Sequence, residues 1–269
     1  MIKIILSDID GTFLKDDKNP AALHVKAIKA VVAKGLKFVF VSARMPEAIY
    51  PITDAIGMAH TPVISYSGGL VLTEKEEVLF DKKISAVDAK GILAEMSRWQ
   101  DITINYYTGR RWFVEELDWR AQREVNITSA KVEIGDFDAL LSENIFPNKI
   151  LVMCEPPTCV EMERELGKVF PTLNVVRSAP YLLEVMDKSV SKATGIKVLL
   201  KHYGYALDEA IAFGDNYNDT EMLELIPQSV AMANSPDAIK KIAAAVTDSN
   251  EIGGIYTYLV KIGIIKGDD

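Results

Sequence analysis

Residues 2 to 66 repeat one pattern three times: a short apolar, β-branched run followed by an amphipathic stretch. Such alternation implies parallel strands joined by crossover helices, because a parallel neighbour is reached only by crossing the face of the sheet. Ile2 to Ser7 reads as a buried strand. Ala21 to Ala33 places Leu23, Ala27, Ala30 and Val31 on one helical stripe and stops at Gly35. Lys37 to Val41 is the next strand, Pro46 sits just inside a helix that runs to Ala55, and Pro62 to Tyr66 supplies a third strand. Three such units predict an α/β fold with a doubly wound, Rossmann-like parallel sheet.

From Leu70 the texture changes. Gly68-Gly69, a hairpin signal through Glu74 to Glu77, and aromatic-rich strands at Ile102 to Tyr107 and Trp112 to Glu115 predict an inserted α+β domain. The βα pattern resumes with a helix from Ser191 to His202, a strand Ala210 to Gly214, a helix after Asp219, a strand Ser229 to Ala233 and a helix Pro236 to Ala244. The expected organisation is a discontinuous core, residues 1–81 and 188–269, interrupted by a cap, residues 82–187. A chain of 269 residues is long enough for two such domains.

The net charge of -8 argues against nucleic-acid or anionic-membrane partners, since that excess of carboxylates repels polyanions at long range. A small anionic substrate stays compatible with a locally positive pocket. Cys154 and Cys159 have no neighbouring Cys or His for a zinc site, and two thiols in a cytosolic chain are expected to be reduced. The opening apolar run, Ile2 to Leu6, is too short for a signal or a membrane span, so a cytoplasmic location is expected. Oligomeric state is left open by the sequence.

Asp8-Ile9-Asp10-Gly11-Thr12 follows directly on an apolar strand, so two carboxylates emerge at the carboxyl end of a strand, where open α/β sheets place their ligands. Gly214-Asp215-Asn216-Tyr217-Asn218-Asp219 has the same context after Ala210 to Phe213. If the two strands are neighbours, at least three carboxylates converge. Unit charges about 4 Å apart repel by roughly 4 kcal/mol per pair at an effective dielectric near 20, so such a cluster needs a cation. Oxygen ligands without His or Cys favour Mg²⁺ over zinc.

Ser42 ends the second strand and Lys192 opens a helix. Alone, Ser42 reads as a helix cap and Lys192 as a solvated helix residue. Together with helix N-terminal amides, a hydroxyl and an ammonium at strand ends can hold a phosphate dianion.

In chain order, Asp8 to Thr12, Ser42-Ala43-Arg44, Ser191 to Gly195, Gly214 to Asp219, and Ala231 to Asn234 with Asn250 to Gly254 resemble the haloacid dehalogenase-like superfamily. The resemblance is to its Cof-type phosphatases, which carry an α/β cap. Two departures are visible: Ser42 stands where the family usually has Thr, and Ser67-Gly68-Gly69 stands where Asn-Gly is common.

The resemblance implies a phosphatase of small phosphorylated metabolites, sugar phosphates foremost. It makes Asp8 the nucleophile and Asp10 the general acid and base, with Ser42 and Lys192 completing the catalytic set. Mg²⁺ would rest on the Asp8 carboxylate, the Asp10 carbonyl and Asp215, while Asp219, and Asn216 beside it, orient its waters or ligands from behind. The amides of Ile9 and Ala43, with Ser42, Lys192 and Asn218, would hold phosphoryl oxygens. Arg44 is a substrate-contact candidate. Competing readings are a phosphoaspartate-based signalling domain, a non-catalytic binding module, and phosphomutase or dehalogenase chemistry. Tyr106, Tyr107, Trp112 and Phe113 are expected to pack the cap, Arg110 and Arg111 to form a solvated turn, and His24, His60 and His202 to be structural or at the surface.

Overall fold

The computed structural model describes residues 1–58 and 61–267. His60 therefore lies outside the described residues. In chain order the first elements are β1 (Ile4–Ser7), α1 (Ala22–Ala33), β2 (Lys37–Val41), α2 (Pro46–Ala55), β3 (Val63–Ser65), β4 (Leu70–Leu72) and β5 (Val78–Asp81). The middle third holds α3 (Ala86–Met96), β6 (Thr103–Thr108), β7 (Arg111–Val114), α4 (Trp119–Thr128), β8 (Glu133–Ile134), α5 (Phe137–Ser142), β9 (Lys149–Met153), α6 (Pro156–Val169), β10 (Leu173–Ala179) and β11 (Leu182–Asp187). The last third holds α7 (Lys192–Tyr203), β12 (Ala210–Gly214), α8 (Thr220–Leu225), β13 (Gln228–Ala231), α9 (Asp237–Ile242), β14 (Ala245–Val246) and α10 (Gly254–Lys261).

Contacts divide the chain into two units, Met1–Ala43 with Thr53–Phe80 and Ser191–Asp269, and Arg44–Ile52 with Asp81–Val190. Arg44–Ile52, which lies between β2 and β3 in the chain, groups with the second unit.

The first unit is built on a sheet ordered β14-β13-β12-β1-β2-β3-β4-β5. All pairs from β14 to β3 are parallel, and β4 turns back antiparallel on β3. The central strands are buried on both faces, as β1 and β12 are at every residue, and this explains why they read as unbroken apolar runs. Helix α1 buries His24, Ala27, Ile28 and Val31, not the expected stripe of Leu23, Ala27, Ala30 and Val31. Leu23 is left exposed because His24 turns inward, where both ring nitrogens find backbone partners.

The second unit holds a sheet ordered β10-β11-β9-β6-β7-β8, antiparallel except for the β7–β8 pair. One face buries Ile150, Val152, Leu183 and Val185 against Ala89, Ile92 and Met96 of α3 and Met162 and Leu166 of α6. Tyr106 stacks on Phe137 and Tyr107 on Trp112, so the aromatic residues of the β6–β7 hairpin pack within this unit. Arg111 pairs with Glu133 at 2.7 Å and Arg110 with Glu47, so the turn is held by ion pairs rather than merely solvated.

The expectation of two thiols is corrected: Cys154 and Cys159 form a disulfide. The chain reverses between β9 and the first turn of α6, bringing the two Cα atoms to 6.0 Å, within the span a disulfide bridges. Both residues are buried in the apolar core of the unit. Among the described residues no helix is long and apolar enough to cross a membrane.

Candidate active site

The order of the parallel strands reverses between β1 and β12, and this switch point is where such sheets leave a crevice at their carboxyl ends. In the parallel register Ser7 lies opposite Phe213, and the Asp8 amide donates to the Phe213 carbonyl at 3.0 Å. Asp8 and Asp215 therefore leave adjacent strands at the same level. Two glycines make the approach possible. Gly11 holds φ +85°, and a Cβ there would collide with the Asp215 carboxylate, while a Cβ on Gly214 would lie 2.7 Å from that of Asp219.

Oxygen atoms of Asp8, Asp215 and Asp219 lie within 4.8 Å of one another, and all three residues are buried. Lys192, buried at the first position of α7, donates to Asp8 and reaches Asp219 Oδ1 at 2.5 Å. Asp219 is fixed from its other side, because Oδ2 accepts the amides of Asp215 and Asn216 at 2.8 and 3.0 Å. Asp215 Oδ1 accepts the Thr12 hydroxyl at 2.7 Å.

Burial is the main cause that raises the Asp8 carboxyl well above the usual carboxylate range, with the charges of Asp219 and Asp215 adding to it and Lys192 opposing. Burial likewise pushes Asp215 up to about 6, eased by the Thr12 hydrogen bond and reinforced by Asp219. Burial disfavours the charged form of Lys192, but Asp219 and Asp8 outweigh it and hold the ammonium above its ordinary range. One ammonium cannot balance three carboxylates. An all-oxygen set with this surplus negative charge fits a hard divalent cation such as Mg²⁺.

The other expected site residues are placed as follows. Asp10 directs Oδ1 to Lys18 Nζ at 3.2 Å, with its side chain 39% exposed, so it is not part of the buried carboxylate cluster. Ile9 is buried behind it. Ser42 follows β2, its amide donating to Ile64 and its carbonyl accepting from Ser67, and Ala43 comes next in the chain. Asn216 and Asn218 are exposed, and the Asn216 side-chain oxygen accepts the Tyr217 amide. Arg44 groups with the second unit and donates to the Ala48 carbonyl at 3.5 Å.

Sequence reasoning assigned no role to Thr12 or Lys18. Thr12 had a signal, its place two residues after Asp10 at a strand end. Lys18 had none, because it reaches Asp10 through a turn in which its own φ is +66°, which no spacing rule anticipates.

Residues 5–259 match the family model of the haloacid dehalogenase-like hydrolases. A Haemophilus influenzae protein that carries the provisional name of phosphatase is 33% identical over 261 residues, covering 96% of this chain and 97% of the relative. Among solved structures, a haloacid dehalogenase-like hydrolase from Bacteroides thetaiotaomicron superposes with a TM-score of 0.87 at 27% identity, covering 97% of this chain and 100% of the other. The subclass IIB sugar phosphatase BT4131 shares the fold, with a TM-score of 0.84 at 23% identity over 98% of this chain and 100% of its own.

Proposed function

We propose that this chain, which belongs to the haloacid dehalogenase-like hydrolases and is a phosphatase, hydrolyses small phosphorylated metabolites through an aspartyl phosphate on Asp8, with Mg²⁺ as cofactor. Sugar phosphates are the leading substrate class. The observation that carries this reading is the buried Lys192 ammonium between Asp8 and Asp219, with Asp215 in the same cluster. It is an arrangement that costs stability and suits the approach of a carboxylate to a phosphate.

In the proposed reaction an Asp8 carboxylate oxygen attacks phosphorus while the bond to the leaving oxygen breaks. Asp10 gives its proton to that oxygen, and the alcohol departs. Asp10, now a carboxylate, takes a proton from water, the water oxygen attacks phosphorus, and the Asp8–phosphorus bond breaks to release inorganic phosphate. Lys192 offsets the charge of Asp8 and of the phosphoryl oxygens, joined by the Ser42 hydroxyl, Asn218 and the amides of Ile9 and Ala43. The Asp8 and Asp215 carboxylates and the Asp10 carbonyl would hold Mg²⁺, with Asp219 and Asn216 behind them. When bound, the ion supplies positive charge at the transferring group. Arg44 is the candidate for the remainder of the substrate. On this reading the enzyme works in the cytoplasm, where phosphorylated metabolites are made and used.

The test is release of inorganic phosphate from a panel of sugar and nucleotide monophosphates, with and without Mg²⁺. The expected result is Mg²⁺-dependent turnover, fastest on sugar phosphates and abolished in a folded Asp8→Asn variant. Wild-type turnover by Asp8→Asn would remove that residue from the nucleophile role. A phosphoprotein that lasts minutes without turnover would favour the signalling reading.

A further inference from the structure

Strands β1 and β3 both end on a serine, and both serines are fully buried. Ser7 uses its hydroxyl locally, donating to the carbonyl of the next residue, Asp8, at 2.7 Å. Ser65 does not, and its Oγ has no hydrogen-bond partner among the described residues. The following turn accounts for the difference: Tyr66 is left-handed, with φ +50°, and its carbonyl is engaged by the Gly69 amide at 2.9 Å. An unpaired buried hydroxyl costs stability, and alanine would fill the same place without that cost.

The position of Ser65 points to a partner. In a parallel pair, a residue whose amide and carbonyl bond to either side of a neighbour lies directly opposite that neighbour. The Ser42 amide donates to Ile64 at 2.8 Å and the Ser42 carbonyl accepts the Ser67 amide at 2.9 Å, which brackets the chain around Ser65. The register of β2 on β3, Phe40 with Val63 and Val41 with Ile64, runs on to the same pairing. Ser65 keeps extended backbone, φ -104° and ψ 166°, so its side chain leaves the sheet on the face that this register gives to Ser42. Neighbouring strands lie about 4.8 Å apart, and rotation about χ1 brings two opposed serine oxygens to the roughly 2.8 Å of an O–H···O bond.

We propose that Ser65 is a positioning residue for Ser42: when the Ser42 hydroxyl donates to a phosphoryl oxygen, Ser65 turns to donate to Ser42 Oγ. This rests on the phosphate-holding role given to Ser42 above. A serine hydroxyl has one proton to give and lone pairs with which to accept. Once the Ser42 proton points at phosphate its oxygen can only accept, and Ser65 holds a proton without an acceptor of its own. Two hydroxyls in series polarise each other, which strengthens the bond to the anion.

The test compares wild type, Ser65→Ala, Ser42→Ala and the double variant, all with Mg²⁺. It reads kcat and KM on the best ester of the panel above, calorimetric binding of inorganic phosphate, and thermal unfolding. Ser65→Ala is expected to weaken phosphate binding about 3- to 10-fold and to raise KM in step, with kcat nearly unchanged. Its Tm should equal or exceed that of wild type, because no native hydrogen bond is lost. A hydroxyl with a merely structural role would give the reverse, a lower Tm with phosphate binding unaltered, and that result overturns the proposal. On the Ser42→Ala background, Ser65→Ala should change neither binding nor KM. Unchanged phosphate binding in Ser65→Ala, or the same loss with and without the Ser42 hydroxyl, overturns the pairing while leaving the phosphatase reading intact. A Ser42→Ala enzyme that binds phosphate as wild type does removes the role on which the pairing rests. A wild type that releases phosphate from no ester overturns the phosphatase reading and the pairing with it.

Discussion

Lys192 and Asp219 form an ion pair with no exposed side-chain surface, Nζ lying 2.5 Å from Oδ1. The same ammonium also serves Asp8, so one lysine at the start of α7 restrains carboxylates that follow two different strands. Its removal leaves a buried acidic cluster without the ammonium that Asp8 and Asp219 share.

Lys192→Met is accordingly expected to cost about 3–5 kcal/mol at pH 8, the range for breaking a buried pair, and to abolish turnover. The cost should shrink toward pH 6, because burial raises the Asp215 carboxyl to about 6 and it takes up a proton there. Urea unfolding of both proteins at the two pH values checks this. A cost that is the same at both would separate the lysine from the charge of the cluster.

Asp215 yields a prediction for metal binding. Its folded-state value of about 6 exceeds the ordinary 3.8, so between these values the metal-free folded protein holds a proton that the unfolded chain has released. Metal-free stability must therefore fall as pH rises through that window. Mg²⁺ binding should reverse the loss above pH 6, where the carboxylate is free, by about 2.7 kcal/mol at 100 times its Kd. Thermal unfolding with and without Mg²⁺ should show a shift that is full near pH 7.5, fades below 6, and is absent in Asp215→Asn. A shift that persists in Asp215→Asn would move the ion elsewhere.

Much of the fold was legible because its strands are buried on both faces. Runs such as Ile4–Ser7 and Ala210–Gly214 have no other stable reading, and their shared carboxyl end follows from parallel pairing. The acidic groups at 8, 215 and 219 were legible for the same reason. Features made by turns were not. Lys18 meets Asp10 across a positive-φ turn, Cys154 meets Cys159 through a chain reversal, and His24 is drawn inward by two backbone partners. None of these leaves a periodic trace in the sequence.

The departure at Ser67 has a structural counterpart. Tyr66 and Ser67 both adopt left-handed backbone, with φ of +50° and +52°, ahead of Gly68 at +100°. The Ser67 amide donates to the Ser42 carbonyl at 2.9 Å, so this strained turn supports the residue that ends β2. Asn accepts the left-handed region better than Ser. Ser67→Asn is expected to stabilise the protein by about 0.5–1 kcal/mol in denaturant unfolding. A destabilised variant would mean that the wider side chain is refused at this position, and that the family's amide cannot be accommodated here.

The second unit contains its own buried ion pair. Lys149 of β9 lies 3.7 Å from Glu184 of β11, both side chains are about a tenth exposed or less, and the ammonium stands over the Tyr107 ring at 5.3 Å. A separation of 3.7 Å is long for a hydrogen bond, so the pair is held by charge and by the aromatic face more than by directed contact. Glu184→Gln should then leave a buried ammonium short of its counter-charge and cost about 3 kcal/mol. Replacing both partners, Lys149→Met with Glu184→Leu, removes the desolvation penalty as well as the attraction. The double variant should regain most of the loss, coupling the two sites by about 2 kcal/mol in a double-mutant cycle. Additive losses would show that each residue is held by other partners, and that the two charges do not depend on each other.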